Sequence, residues 1–147
     1  MMRDFFAGRY EEGHVCLLDI DDDQPVAVAY YQPTPATDRC WTLLMIAVDR
    51  DRQGQGRGSA LLRRVEDDLR DRAERLLLIE TSGVAGFELT RRFYTKAGYA
   101  AEARVRDYYP VGDDMVLFRK DLTTDAPDGA EGPDAARPAD SPDDRSS

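Results

Sequence analysis

Eight nearly uninterrupted apolar residues, Trp41–Val48 (WTLLMIAV), run into the polar segment DRDRQGQGRG, and a strongly amphipathic stretch, Ser59–Arg72, follows at once. The apolar run reads as a strand covered on both faces, hence central in a sheet. In the stretch after the glycines, Leu61, Leu62, Val65 and Leu69 form one stripe, with Arg63, Arg64, Glu66, Asp67, Asp68 and Arg70 elsewhere, as on a half-buried helix. A buried strand joined by a glycine-rich turn to a helix calls for an α/β architecture. It also makes a specific local device. The first turn of a helix has unpaired N–H groups and a partial positive charge. Glycines let the backbone approach a ligand closely. Together they cradle an anion, typically phosphate.

The flanking segments extend the sheet. His14–Ile20 and Pro25–Gln32 read as strands joined by the polar turn Asp21–Gln24, an antiparallel hairpin. A metal site at Asp21–Asp23 lacks the ligand spacing of a cation loop, so a solvated turn is expected. Leu76–Thr81 is a second buried strand. Phe87–Ala97 is a second helix, with Leu89, Phe93 and Ala97 at four-residue spacing as its core stripe and Gly98 as its C-terminal cap. Tyr99–Tyr108 and Met115–Lys120 are the last strands. The expected fold is a mixed, mostly antiparallel sheet flanked by helices.

Charge is uneven. The net charge is −9, and from Asp121 onward there are eight acidic and two basic residues. That segment has no large apolar residue after Leu122 and is rich in Pro, Asp, Ala and Gly, so residues 123–147 are expected to be a disordered acidic tail behind a domain spanning 1–122. The remaining body is only mildly acidic, which argues against a nucleic-acid partner. No run approaches a membrane span and no signal-peptide pattern opens the chain, so a cytoplasmic protein is expected. Cys16 and Cys40 are expected to be free thiols. The lone His14 shares a strand face with Cys16, but a nucleophile's partners usually come from distant segments. Ligands for a zinc site are lacking.

Two phosphate-binding patterns fail at Gln53–Gly58. A dinucleotide loop needs G-x-G-x-x-G, whereas Gly54, Gly56 and Gly58 run G-x-G-x-G. A nucleoside-triphosphate loop needs a lysine before its serine, which Gly58-Ser59 lacks. The segment instead resembles the phosphate motif of the GNAT superfamily of N-acetyltransferases, Gln/Arg-x-x-Gly-x-Gly/Ala after a central strand, with Gln53, Gly56 and Gly58 at its defined positions. A second segment, Arg92-Phe93-Tyr94-Thr95-Lys96-Ala97-Gly98-Tyr99, is similar to that family's F/L-Y-x-K-x-G-F/Y motif. The resemblance covers roughly His14–Leu122.

The resemblance implies acetyl-CoA as cosubstrate, with splayed central strands at its site. Main-chain amides of Gln53, Gly54, Gln55, Gly56, Arg57 and Gly58, running into Ser59, would hold the diphosphate, with Arg52 and Arg57 adding charge. The strand Met45–Val48, through Ile46, Ala47 and Val48, would bind the pantetheine arm and polarise the thioester. The acceptor, a primary amine on a small molecule or a peptide, would attack directly. Tyr94, about 100° around the helix from the core stripe and so free to face a cleft, would protonate the departing thiolate. Glu80, at the end of a buried strand, is the candidate base, with Asp107 beside Tyr108 a weaker one. Phe87 stands where many members have an asparagine that contacts CoA, so that contact is not carried over. The family also begins with a strand and two helices before the hairpin. Here about 13 residues precede His14 and Met1–Tyr10 supplies at most part of one helix, so the expectation is a shortened variant, a start that lies upstream, or an acceptor pocket that is open or completed by another subunit of a homodimer. A second reading keeps the fold and acyl-CoA binding without turnover.

Overall fold

A computed structural model describes residues 4–10 and 13–124. The acidic segment from residue 125 lies outside them. The elements run β1 (Asp4–Tyr10), β2 (His14–Asp21), β3 (Gln24–Pro33), β4 (Cys40–Val48), α1 (Arg57–Asp71), β5 (Leu76–Ser82), α2 (Glu88–Lys96), β6 (Ala100–Val105) and β7 (Met115–Asp121). The strands form one sheet, ordered β1-β2-β3-β4-β5-β7-β6. Every neighbouring pair is antiparallel except β4 with β5.

The segment Asp4–Tyr10 departs from expectation. Asp4–Tyr10 is a strand, not part of a helix, with Tyr10 opposite His14 and Asp4 opposite Ile20. Phe5, Phe6 and Tyr10 are strand formers, and the open edge of β2 offers a ladder of main-chain partners that an isolated helical turn would lack. The β2–β3 turn is a two-residue hairpin with Asp22 and Asp23 both at positive φ, 55° and 62°, the geometry whose twist matches paired strands.

Both helices pack on one face. Paired residues share a side of the sheet, so Tyr31, Leu43, Ile79 and Phe118 lie in one row across β3, β4, β5 and β7. Tyr31 donates to Asp68 of α1 at 2.7 Å, and the Phe118 ring packs on Tyr94 of α2. Leu61, Leu62, Val65 and Leu69 fill the core beneath α1. Full burial of such a side chain contributes about 1.5–3 kcal/mol. On the opposite face Leu18, Val28, Tyr30, Leu78 and Leu117 are half-buried, and no described helix covers them.

The second helix is rotated from the expected stripe. Leu89 is 77% exposed, whereas Tyr94 is 5% exposed. The helix is only nine residues long and rests on the sheet through Phe93, Tyr94 and Ala97, so its first turn, with Leu89, projects past the covered area. The strand expected over Tyr99–Tyr108 is shorter. Residues 106–114 form a turn instead, with Asp107 at φ 56°.

Candidate active site

The central strands part company halfway along. β4 and β5 pair from Cys40 opposite Leu76 to Leu43 opposite Ile79 and no further. Beyond that point β4 stays with β3, and β5 stays with β7. A bulge at the fork leaves Leu44 out of register, because Met45 pairs with Tyr30 and Leu43 with Tyr31. On the β5 side, the main-chain groups of Leu44–Val48, including Ile46, Ala47 and Val48, have no strand partner among the described residues. A slender chain with amide groups can lie in such a fork and complete the ladder.

β4 leads directly to the cradle. A single 3₁₀ turn, Arg50–Arg52, uses the N–H of Gln53 to cap Arg50, so the free run of amides starts one residue later than expected. The Gln53 side chain turns back to the Val48 carbonyl at 3.1 Å. Gly54 and Gly56 sit at φ 80° and 78°, the left-handed region that disfavours a side chain. Gly56 is the N-cap of α1 and no side chain caps the helix. Among the described residues nothing accepts a hydrogen bond from the N–H groups of Gly54, Gln55, Gly56, Gly58 or Ser59. All of these but Gln55 border a cavity of about 270 Å³ lined by Val48, Arg52, Gln53, Gly54, Gly56, Arg57, Gly58, Ser59 and Phe93.

Both arginines of this loop line that cavity, and both guanidiniums are paired to carboxylates. Arg57 is 3% exposed, with Nη1 3.2 Å from Asp19 and Nη2 2.9 Å from Asp21. Arg52 also pairs with Asp21. The hydrogen bond from Arg52, with the charge of Arg57 added, holds the Asp21 carboxyl below the usual carboxylate range. The charge that the resemblance assigns to Arg52 and Arg57 is balanced here by the carboxylates of Asp19 and Asp21. Asp19 and Asp21 were absent from the sequence-based site. Their signal was present, because Asp19 continues the inward alternation of Val15 and Leu17, where an apolar residue belongs.

Tyr94 does not point into an open cleft. Its ring packs against Phe93, Tyr99 and Phe118. Phe93 is a wall of the cavity, and Phe118 is the strand neighbour of Ile79, the last β5 residue paired before the fork. Burial pushes the Tyr94 phenol up to about 12, so it stays protonated across the physiological range. No described residue hydrogen-bonds its hydroxyl. Glu80 is exposed on β5 just past the fork, and its carboxylate accepts from the Tyr108 hydroxyl at 3.4 Å. Tyr108 belongs to a stapled turn. Ser82 Oγ donates to Asp113, Gly83 N–H to the Asp114 carbonyl at 2.8 Å, and Arg104 to the Asp114 carboxylate at 2.8 Å. The Asp107 carboxylate accepts from the Gly112 amide at 2.8 Å, a turn-closing contact. Phe87, exposed in a 3₁₀ turn ahead of α2, makes no part of the cavity.

Known proteins are similar to this chain. The family model of the acetyltransferase (GNAT) family matches residues 1–99. A GNAT-family protein from Desulfovibrio desulfuricans is 41% identical, with a TM-score of 0.73 over 76% of this chain and 71% of its own. The ribosomal-protein-S18-alanine N-acetyltransferase of Escherichia coli shares the fold at 24% identity, TM-score 0.68, over 83% of this chain and 77% of its own. An aminoglycoside 6'-N-acetyltransferase complexed with coenzyme A shares it at 15% identity, TM-score 0.68, over 79% and 77%. No curated protein matches the sequence.

Proposed function

The chain belongs to the acetyltransferase (GNAT) family and is an acyltransferase, and from that premise we propose that it moves the acetyl group of acetyl-CoA to a primary amine on a small molecule or a peptide. One observation carries the reading: the amides of Gly54, Gly56, Gly58 and Ser59, without partners among the described residues, open on a cavity at the end of the very strand that leaves its neighbour. The diphosphate would take the amides from Gly54 to Ser59. The pantetheine arm would lie along Ile46–Val48, and the thioester would reach the fork. There the amine nitrogen attacks the carbonyl carbon, a main-chain N–H of the bulged strand stabilises the oxyanion, and the C–S bond breaks. The nitrogen gives its proton through water to Glu80. The leaving thiolate takes one from Tyr94.

A phenol at about 12 is a weaker acid than an ordinary thiol near 8.5. Burial that raises the phenol also raises a thiolate leaving beside it, so donor and acceptor move together. The acceptor wall is an open sheet face or a second copy of the chain. A cytosolic setting agrees with the two free thiols, Cys16 and Cys40, and we assign the catalytic body to residues 1–122, followed by an acidic tail.

Acetyl-CoA at 100 times its dissociation constant is expected to stabilise the protein by about 2.7 kcal/mol, read as a rise in melting temperature. Release of free thiol is then expected with at least one member of an amine panel. An absent thermal shift sinks the proposal. A shift with no thiol release leaves a binding module.

Tyr94→Phe keeps the ring packing and removes only the hydroxyl. Turnover is expected to fall about 100-fold, with acetyl-CoA affinity unchanged within about twofold. Equal turnover in the variant would remove Tyr94 from the chemistry.

A further inference from the structure

Asp19 is wholly buried, at 0% exposure, on the inward face of β2. Strand alternation assigns that position to the core, after Val15 and Leu17. A carboxylate there is expensive unless paired, and its partner is Arg57, the first residue of α1. Sequence-level rules broken at one buried site tend to mark function. The pair joins two things that matter to the site. Arg57 is the first helical residue after the Gly56 cap and stands between Gly56 and Gly58, which line the cavity, while its side chain is the anchor. Asp19 stands on a strand that is hydrogen-bonded to β3 opposite Ala27, and Ala27 is in turn opposite Val48, the last residue of β4. Asp21, two residues on, takes the other Arg57 nitrogen and Arg52 as well. The start of the helix is thus tied across three strands to the end of the strand that feeds the cavity.

We propose that Asp19 and Arg57 are positioning residues for the diphosphate. Their side chains act on the ligand only through the backbone they hold. They hold the left-handed Gly54–Gly56 turn and the first turn of α1 at the angle that aims the amides into the cavity. They do so without offering the ligand a charge, because their own charges cancel locally. This rests on the acetyl-CoA reading above and adds to it a distance: the separation between the amide cradle and the strand fork is set from β2, outside the binding motif. A misplaced cradle still leaves the reacting groups intact, so the effect belongs in binding and not in the chemical step.

The test is CoA binding by calorimetry on the full chain, with steady-state kinetics beside it. Asp19→Asn is expected to weaken CoA about tenfold or more. Its KM for acetyl-CoA should rise in parallel, while kcat at saturation and the KM for the amine stay within about twofold. Arg57→Lys should recover part of the affinity lost in Arg57→Gln, because it keeps the charge without the forked geometry. If Asp19→Asn does not fold, the double variant Asp19→Leu/Arg57→Met, which fills the same space without charge, carries the same expectation. Tyr99→Phe is the control for general destabilisation, since it removes a buried hydrogen bond to Glu66 at 2.6 Å and leaves the loop alone. Its CoA affinity should match that of the unaltered protein. A folded Asp19 variant that binds CoA normally overturns the inference, and so does equal weakening in Tyr99→Phe. If the unaltered protein binds no CoA, the reading of the site falls first and this inference with it.

Discussion

Valine in place of Gly58 is expected to weaken CoA binding by about 100-fold or more, equivalent to about 2.7 kcal/mol, while the protein still unfolds cooperatively close to its normal temperature. Gly58 lies in the first turn of α1 at an ordinary helical conformation, so the backbone tolerates a side chain. A Cβ there would stand 3.5 Å from Phe93 and 3.6 Å from Val48, in normal contact with two walls of the cavity. Alanine should therefore be accepted with little loss. The two further methyls of valine have nowhere to go except against those walls or into the space in front of the Gly58 and Ser59 amides. They exclude the diphosphate and cover the donors it needs. Calorimetric titration with CoA reads the loss, and a thermal melt without ligand reads the fold. Undiminished affinity in Gly58→Val would mean that the diphosphate sits elsewhere.

Lys120→Met is expected to cost about 3 kcal/mol or more of stability, a fall of roughly 10 °C in melting temperature. Glu66 of α1 is 4% exposed. Its carboxylate accepts from the Lys120 ammonium at 3.2 and 3.1 Å and from the Tyr99 hydroxyl at 2.6 Å. The same ammonium donates to the Ala97 carbonyl at 2.9 Å, at the end of α2, and lies 5.0 Å from the centre of the Tyr99 ring. One cation therefore joins α1, α2 and β7. Removing it leaves a buried carboxylate facing Tyr99 and, at 4.0 Å, Arg70. The loss comes from the stranded charge more than from the missing attraction. Glu66→Gln combined with Lys120→Met should accordingly recover much of it. Urea unfolding with an unchanged slope measures both. A loss below about 0.5 kcal/mol in the single variant, the size of an exposed pair, would mean that water reaches Glu66. CoA affinity should be untouched by either variant, because the network lies away from the cradle.

The strand, the glycine turn and α1 were legible because each is specified by neighbours in sequence. An apolar run, positive-φ glycines and a four-residue stripe act over a few residues, and the helix starts within two positions of where the pattern places it. The hairpin turn at Asp22–Asp23 follows the same logic. The short helix α2 was legible as a helix but not in its orientation. Leu89, Phe93 and Ala97 make as good a stripe as Phe93, Tyr94 and Ala97, and the choice fell to Phe118 and Tyr99, which give Tyr94 a wall to pack on. Asp4–Tyr10 likewise became a strand because β2 had an edge to offer.

What the chain determined by itself was therefore the cradle: backbone dihedrals and a helix start depend on local residue types, and no other part of the protein is needed to leave those amides unpaired. Only the tertiary structure decided where charge and burial fall. It paired Arg52 and Arg57 with carboxylates more than thirty residues earlier, opened β4 from β5 beyond Leu43 and Ile79, and sealed most of Tyr94 from water. Ion pairs, register and desolvation are properties of segments that meet only after folding, and one-dimensional spacing carries little of that information.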